Sequence, residues 1–178
     1  PSGELRSSWN APHASHGFRQ VNDEQNENLK AWISAVFPEK IDELIDLYGG
    51  DGNLSLGFQG RVSQIHSVDI CAPQAAASSA NMFFHRSAVL PWLLRYREQL
   101  KSRSLSNRIV ISDPPREGMG DMLPEVAAVL ESLNARHWVL IGCEADAWAR
   151  DLALLSRRGW KISRIAAFDF FPQTSHLE

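Results

Sequence analysis

The sequence predicts an α/β fold, a doubly wound and mostly parallel sheet with helices on both faces. Two observations lead to this prediction. Short apolar runs that suit buried strands alternate along the chain with segments whose apolar residues recur at helical spacing. Distinctive polar or glycine-rich segments follow several of these runs, and open parallel sheets bind their ligands at the carboxyl ends of their strands.

The predicted elements follow one another in a regular order. A first helix is capped by Asn22 and continues to Phe37, where Pro38 ends it. Six strands are expected after it, at Glu43–Tyr48, Val62–Val68, Met82–His85, Arg108–Ser112, His137–Ile141 and Trp160–Phe170. Helices are expected between the strands, at Asn53–Phe58, residues 73–81, Ala88–Lys101, Asp121–Leu133 and Ala145–Arg157.

Length and composition limit the classes of protein. A chain of 178 residues can build one domain with a core, after a polar arm or linker at residues 1–17. A net charge of -3 argues against a free-standing nucleic-acid binder. No window approaches the roughly 18 apolar residues that a membrane span needs, and no signal peptide is apparent. The two cysteines, Cys71 and Cys143, form no CxxC pair, which indicates a reducing compartment without a structural zinc site.

The segment 46-DLYGGDGNLSL-56 combines a strand end, a glycine-rich turn and the start of a helix. Glycine lets backbone N–H groups approach a ligand closely, and a helix N-terminus favours an anionic or polar group. Asp69 ends the next strand, at a spacing that suits hydrogen bonds to the ribose of a nucleotide-like cofactor. A tight turn with a surface aspartate is the alternative. NAD and S-adenosylmethionine both remain possible, although the missing GxGxxG pattern disfavours NAD.

Two further strand ends carry candidate chemistry. In 112-SDPPREG-118 the two prolines rule out continued pairing, so a stiff loop would hold Asp113 over the cleft, where its carboxylate could recognise a substrate N–H. A simple connection is the alternative. Cys143 follows an apolar strand and precedes a helix, whose dipole would lower the pKa of its thiol. Packing of a buried cysteine is the competing interpretation.

Taken together, these segments resemble the RNA uracil-5-methyltransferases, which use S-adenosylmethionine to make 5-methyluridine in tRNA or large-subunit ribosomal RNA. The resemblance covers residues 18–178 in the right order. FRQVN resembles the family's F-x-Q-V-N, and DLYGGDGNLSL its cofactor loop D-L-[YF]-C-G-x-G-x-[FL]-[ST]-L. DPPREG resembles D-P-[PA]-R-x-G, and GCEADAWARD resembles S-C-[ND]-P-x-[TS]-[LF]-A-R-D. The final segment, FDFFPQTSHLE, resembles D-[MLF]-F-P-x-T-x-H-[VL]-E.

The resemblance implies a Rossmann-like class I methyltransferase domain over residues 18–178. It implies that Cys143 is the nucleophile and Glu178 the general base, without a metal. It places substrate contacts at Gln20, Asp113 and Arg116. It places S-adenosylmethionine contacts at Gln20, Tyr48, Gly50, Gly52, Asp69 and Asp113.

The same resemblance implies partners and a location. The substrate would be tRNA or rRNA that presents a single-stranded or flipped uridine. An RNA-binding domain usually precedes this domain in the family. We expect a cytoplasmic protein with no membrane partner.

The chain departs from the family pattern beside the nucleophile. Gly142 stands in place of serine, and Glu144-Ala145 in place of [ND]-P. Two alternatives therefore stay open: a non-catalytic relative that binds RNA or cofactor, and a methyltransferase that acts on another substrate.

Overall fold

A five-stranded parallel sheet forms the centre of the protein. The computed structural model describes residues 22–73, 80–100 and 107–170. The strands are β1 (Ile41–Leu47), β2 (Val62–Asp69), β3 (Met82–Arg86), β4 (Arg108–Ser112) and β5 (Ala135–Leu140). They lie in the order β3-β2-β1-β4-β5, and every adjacent pair is parallel. The chain builds outward from β1 to β3 and then returns to the other side of β1, so the topological switch point lies between β1 and β4.

Helices cover both faces of the sheet, as predicted. They are α1 (Asp23–Val36), α2 (Val89–Gln99), α3 (Leu123–Ser132) and α4 (Ala145–Arg157). Leu29 and Ile33 of α1 belong to the core on one face, together with residues of β1, β2 and β4. The opposite core takes its residues from α2 and α3, with Leu155 of α4. Strands buried on both faces are usually apolar throughout, and the interior of β4 (RIVIS) fits this rule, whereas β1 and β2 bury polar side chains among their apolar ones.

The central strands also bury charge. Glu43 of β1 and Arg108 of β4 are almost completely inaccessible, and the Arg108 guanidinium donates a hydrogen bond to the Glu43 carboxylate. The hydroxyl of Tyr96, on α2, donates a second hydrogen bond to the same carboxylate. Arg108 also donates to the carbonyl oxygen of Leu133, at the end of α3. Buried charges are tolerated only when paired and hydrogen-bonded, and this group satisfies that condition for Glu43.

Several predicted boundaries shift for local reasons. β1 ends at Leu47 because Tyr48 has φ +61, which does not continue a strand. Of the helix predicted at Asn53–Phe58, only a 3-10 turn at Leu56–Phe58 forms. α3 begins at Leu123, after a 3-10 turn at Gly120–Met122. The helix predicted at residues 73–81 lies mostly outside the described residues, because 74–79 are not described.

The predicted sixth strand, Trp160–Phe170, is wrong. Residues 160–169 form neither strand nor helix, and Ile162 and Ile165 are 55% and 63% exposed. This segment forms one wall of an apolar groove of about 330 Å³, which α1, β5 and α4 complete. Alternating apolar residues report which side chains could be buried, but a strand also needs a neighbour with which to pair. In the described part of the chain, β5 pairs with β4 alone.

None of the described helices is both long enough and apolar enough to cross a membrane.

Candidate functional site

The predicted site segments meet at the carboxyl edge of the sheet. Strand register places Val68, Leu47, Ser112 and Leu140 in one row across four adjacent strands. The residues that follow them begin the site segments: Asp69, Tyr48, Asp113 and Ile141. Two hydrogen bonds fix this row beyond the strands, because Asp113 N donates to Leu47 O (3.3 Å) and Ile141 N donates to Ser112 O (2.9 Å). The topology therefore brings the glycine turn, both aspartates and the Cys143 segment to the same edge.

The glycine turn is held in a conformation that requires glycine at two positions. Gly50 and Gly52 have φ +53 and +85, and Gly52 N donates to Gly49 O at 2.7 Å. A Cβ on Gly49 would lie 2.5 Å from Ser67 Oγ, and one on Gly52 would lie 2.7 Å from Met82 Cε. The turn thus packs directly on β2 and β3, at the carboxyl edge of the sheet.

Asp69 organises this turn. Its Oδ2 accepts a hydrogen bond from Gly50 N (3.3 Å), and its Oδ1 accepts one from Cys71 N (2.6 Å). A carboxylate oxygen can accept more than one hydrogen bond, so both oxygens keep capacity for a ligand hydroxyl. Asp69 therefore joins two loops of the edge and remains only partly buried.

Three buried polar atoms next to the turn have no hydrogen-bond partner among the described residues. They are Asp46 Oδ1, Ser67 Oγ and Tyr48 Oη. Asp46 Oδ2 accepts a hydrogen bond from Ser55 Oγ at 2.5 Å. Burial, opposed only in part by that hydrogen bond, raises the pKa of Asp46 to about 7. Unpartnered buried polar groups mark a place where a polar ligand or water is expected. Asp46 is not among the site residues that the sequence predicts, although an acidic residue just before the glycine turn is a visible signal for it.

An amide pair that the sequence does not predict holds α1 against the turn. Asn26 Nδ2 donates to Asn53 Oδ1 at 3.1 Å, and Asn53 Nδ2 donates back to Asn26 Oδ1 at 2.9 Å. The helix begins where expected, since Asn22 Oδ1 accepts from Gln25 N at 3.1 Å. No periodic pattern predicts the amide pair, because the two residues are 27 positions apart.

The loop that begins with Asp113 follows the same edge. Asp113 is partly buried, and this burial raises the pKa of its carboxyl to about 6. Arg116 is exposed at the middle of the loop, and Gly118 N donates to Pro115 O at 2.8 Å to close a turn. The loop therefore presents one shielded carboxyl and one solvated guanidinium.

Cys143 is partly buried, two residues past Ile141 and just before Glu144, the N-cap residue of α4. The side chain of Glu144 makes no capping hydrogen bond, so it leaves the first N–H groups of α4 available to other acceptors. Trp148 secures the segment from the helix side, because its Nε1 donates to Leu140 O at 3.0 Å.

Two predicted site residues, Gln20 and Glu178, lie outside the described residues, as does the arm at residues 1–17. Their roles remain predictions. In the described ranges, no group of three or more histidine, cysteine or acidic side chains could hold a metal ion.

The apolar groove beside β5 is a separate feature. Its lining includes Gly142 and Trp148 but none of Tyr48, Asp69 and Asp113. We assign the site to the carboxyl edge, because ligand chemistry needs the polar groups that lie there.

Comparison with known proteins decides the family. The family model described as tRNA (Uracil-5-)-methyltransferase matches residues 9–89 and 94–178. The chain belongs to this family. Its fold class and the resemblance expected from the sequence are confirmed.

Individual relatives agree with the assignment to the tRNA (uracil-5-)-methyltransferase family. Over 176 aligned positions the chain is 30% identical to the 23S rRNA (uracil(1939)-C(5))-methyltransferase RlmD of Pseudomonas aeruginosa, covering 90% of this chain and 36% of that protein. It is 33% identical to an uncharacterized RNA methyltransferase of Thermosynechococcus vestitus, covering 93% and 37%. The chain thus spans somewhat more than a third of these relatives.

A solved structure shares the fold. It is the Pyrococcus abyssi tRNA (uracil-54, C5)-methyltransferase in complex with S-adenosyl-L-homocysteine, with a TM-score of 0.64 and 22% identity. The match covers 90% of this chain and 38% of that chain.

Proposed function

We propose that this protein transfers a methyl group from S-adenosylmethionine to carbon 5 of a uridine in RNA through a covalent adduct with Cys143. The observation that carries the proposal is the meeting of the family's cofactor turn, Asp113 loop and cysteine segment at one edge of the sheet. Glu178 would be the general base.

The described residues at the turn fit the cofactor. Gly50 N and Gly52 N already donate within the protein, so their role would be to shape the turn and let the cofactor approach closely. The partly buried Asp69 would take a polar group of the cofactor, with Tyr48 and Gln20 as further contacts. The unpartnered Asp46 Oδ1 and Ser67 Oγ support a polar ligand here. The cofactor would supply an activated methyl group and leave as neutral S-adenosylhomocysteine.

Cys143 would carry out the covalent steps on uracil, and Glu178 the proton transfer. The Cys143 thiolate adds to carbon 6, which forms a C–S bond and moves the π electron pair to carbon 5 and the O4 enolate. Once carbon 5 carries the methyl group, Glu178 accepts the carbon-5 proton. The electron pair of that C–H bond restores the double bond and expels Cys143 as thiolate. The net reaction exchanges one proton of the base for a methyl group.

The N-terminus of α4 would favour the thiolate form of Cys143, and the neighbouring Glu144 carboxylate would oppose it. α4 spans 13 residues, and the positive end of its dipole faces the cysteine segment. Asp113 would accept the N3–H of uracil, and the ionised carboxylate forms the stronger hydrogen bond. The pKa of about 6 for Asp113 leaves it mostly ionised at neutral pH.

The proposed substrate is a uridine in tRNA or rRNA, the RNA classes named for the relatives. The base must leave its stack to reach a thiol at the sheet edge, so a single-stranded or flipped uridine is required. Arg116 would contact the RNA backbone. A preceding RNA-binding domain would supply most of the affinity, because the chain has a net charge of -3. We place the protein in the cytoplasm, where such RNA is modified.

The test is covalent trapping with RNA that contains 5-fluorouridine, in the presence of S-adenosylmethionine. A base cannot remove fluorine from carbon 5, so the methylated adduct accumulates and survives a denaturing gel. We expect an adduct with the natural sequence and none with Cys143→Ala. Cys71→Ala is the matched control, because Cys71 also follows a strand at this edge but belongs to no predicted site; it should still form the adduct.

Cofactor binding is measured in parallel by calorimetry with S-adenosylhomocysteine. Binding without any adduct would favour a non-catalytic relative or another substrate over uracil chemistry. Failure to bind at millimolar concentration would overturn the assignment of a methyltransferase site.

A further inference from the structure

Asp151 is a buried carboxylate in the middle of α4. It is 6% exposed, whereas ionisable side chains rarely lie this deep without a partner. A solvated helix face would leave an aspartate in water. Its burial therefore requires a hydrogen-bond donor on the segment that packs against this face of α4.

That contact is the far end of the Asp113 loop. Asp151 Oδ2 accepts a hydrogen bond from Met119 N at 2.9 Å. The same oxygen lies against Gly118, where a Cβ would be only 2.6 Å away and where φ is +76. Glycine is required here both by its backbone conformation and by the closeness of the carboxylate. The loop, turned by the hydrogen bond between Gly118 N and Pro115 O, ends directly on Asp151.

The loop is thus fastened at both ends. At its start, Asp113 N donates to Leu47 O of β1, and at its end Met119 N donates to Asp151. Two prolines stiffen the residues between these points. Without the hydrogen bond to Asp151, Gly118 and Met119 would be free to move while Asp113 stayed in place.

The same side chain belongs to the helix that follows the cysteine. α4 begins at Ala145, two residues after Cys143, and is a continuous helix through Asp151. Movement of the loop relative to α4 is therefore also movement of the loop relative to the cysteine segment. Asp151 also lies near the cofactor turn. Burial of Tyr48 is the main cause that raises the pKa of its hydroxyl, and the charge of Asp151 raises it further.

We propose that Asp151 is a positioning residue that holds the Asp113–Gly118 loop in register with Cys143, so that a uracil bound by the loop presents its carbon 6 to the thiol. The role rests on the proposed uracil chemistry. It depends on accepting the hydrogen bond from Met119 N, the contact by which the side chain holds the end of the loop. An asparagine can accept the same hydrogen bond, and an alanine cannot.

The test compares Asp151→Ala, Asp151→Asn and Asp42→Ala. Asp42 is the matched control, because its Oδ2 accepts a backbone hydrogen bond from Asn107 N at 2.9 Å, at the amino edge of the sheet and away from the site. Each variant is mixed with S-adenosylmethionine and 5-fluorouridine RNA. Two quantities are recorded: the first-order rate constant of adduct formation, and the folded fraction of each variant in the assay buffer, from urea denaturation followed by circular dichroism.

These quantities separate positioning from folding. A residue that only stabilises the fold lowers the folded fraction when it is replaced and lowers the observed rate constant in proportion, so the rate constant divided by the folded fraction stays unchanged. We expect Asp151→Ala to lower the rate constant roughly ten- to a hundredfold, as small misplacements of reacting groups do. Its folded fraction should stay near that of the natural protein, so the decrease remains after division by that fraction. Asp151→Asn should recover the rate constant to within about threefold, and Asp42→Ala should leave it unchanged.

A rate constant for Asp151→Ala equal to that of the natural protein would overturn the positioning role while leaving the proposed function intact. So would an asparagine variant as slow as the alanine variant, because the hydrogen bond would then not be what matters. An absence of adduct with the natural protein is a different result, and it would overturn the proposed function together with any role built on it.

Discussion

The indole of Trp148 occupies the space in which residue 142 would otherwise carry a side chain. A Cβ on Gly142 would lie 2.8 Å from Trp148 Cδ1 and 3.2 Å from Trp148 Cβ. In the family pattern these positions hold serine and leucine or phenylalanine, so glycine and tryptophan depart from the pattern as a matched pair. The hydrogen bond from Trp148 Nε1 to Leu140 O fixes the ring in this place.

We therefore expect Gly142→Ser alone to lower the free energy of unfolding. The added side chain would push against a ring that is hydrogen-bonded and cannot withdraw, at a cost of about 1–3 kcal/mol in the free energy of unfolding. The double change Gly142→Ser with Trp148→Leu should recover most of that loss. Urea denaturation of both variants measures the effect, and purely additive losses would show that the two residues do not compete for space.

The buried histidine cluster should make the protein acid-sensitive. His66 is 7% exposed, with Nδ1 2.9 Å from His85 Nε2 and Nε2 3.0 Å from Tyr96 Oη. Burial, the neighbouring His85 and the Arg108 charge lower the pKa of His66 to about 3. Glu43 lies 3.4 Å from His66 Nε2 but is already paired with Arg108, so it does not reverse this shift.

The direction of the pH dependence follows. The unfolded chain takes up a proton on this histidine below about pH 6.5, while the folded protein keeps it neutral down to about pH 3. The free energy of unfolding should therefore fall with decreasing pH, by on the order of 2 kcal/mol between pH 6.5 and 5 from this residue. His66→Phe, which suits the surrounding rings, should flatten the dependence. If the free energy of unfolding of this variant depended on pH just as steeply, other groups would be responsible for the dependence.

Asp46 should produce the opposite slope. Its pKa of about 7 in the folded protein exceeds the value of 3.8 expected when unfolded. The unfolded chain thus loses this proton first, and the free energy of unfolding should decrease as pH rises from about 4 to 7. Asp46→Asn keeps an acceptor for Ser55 Oγ and should be more stable than the natural protein at pH 8, by about 1–3 kcal/mol, but not at pH 4. Equal stability of the two proteins at pH 8 would contradict the raised pKa.

The amide pair between α1 and the glycine turn should affect stability and cofactor binding together. Asn26→Ala leaves the Asn53 amide without its reciprocal partner, which should cost about 1–3 kcal/mol and weaken S-adenosylhomocysteine binding severalfold. Asn81→Ala is the comparison, because Asn81 donates to Gln59 O and Val62 O at the opposite edge. It should reduce stability alone. Similar losses of affinity in both variants would argue for a general loosening instead.

The sequence predicted the strands well where burial alone determines structure. β2, β3 and β4 form where the sequence predicts them, and their observed ends differ from the predicted ends by no more than one residue. The segment 160–170 also carries apolar residues between polar ones, yet it forms no strand, because pairing depends on which neighbour is present as well as on the segment's own composition.

The site could be predicted in outline for a similar reason. Gly50, Asp69, Asp113 and Cys143 each follow a strand in the sequence, and parallel topology brings such residues to one edge. The supporting side chains could not be predicted. Asp151 contacts Met119 across 32 positions, and nothing in the sequence of α4 indicates that a loop will end on this carboxylate.

The sheet order has a consequence for the way the edge is assembled during folding. The cofactor turn and its aspartate, Gly50 and Asp69, are 19 positions apart, within one continuous β1–β2 unit. Joining β1 to β4 closes a loop of 65 positions between Glu43 and Arg108, which costs more chain entropy. We expect the half of the edge near β1 and β2 to form early and the half that bears the thiol to form late. A partly folded chain would then carry a cofactor cradle before it carries a reactive cysteine in place.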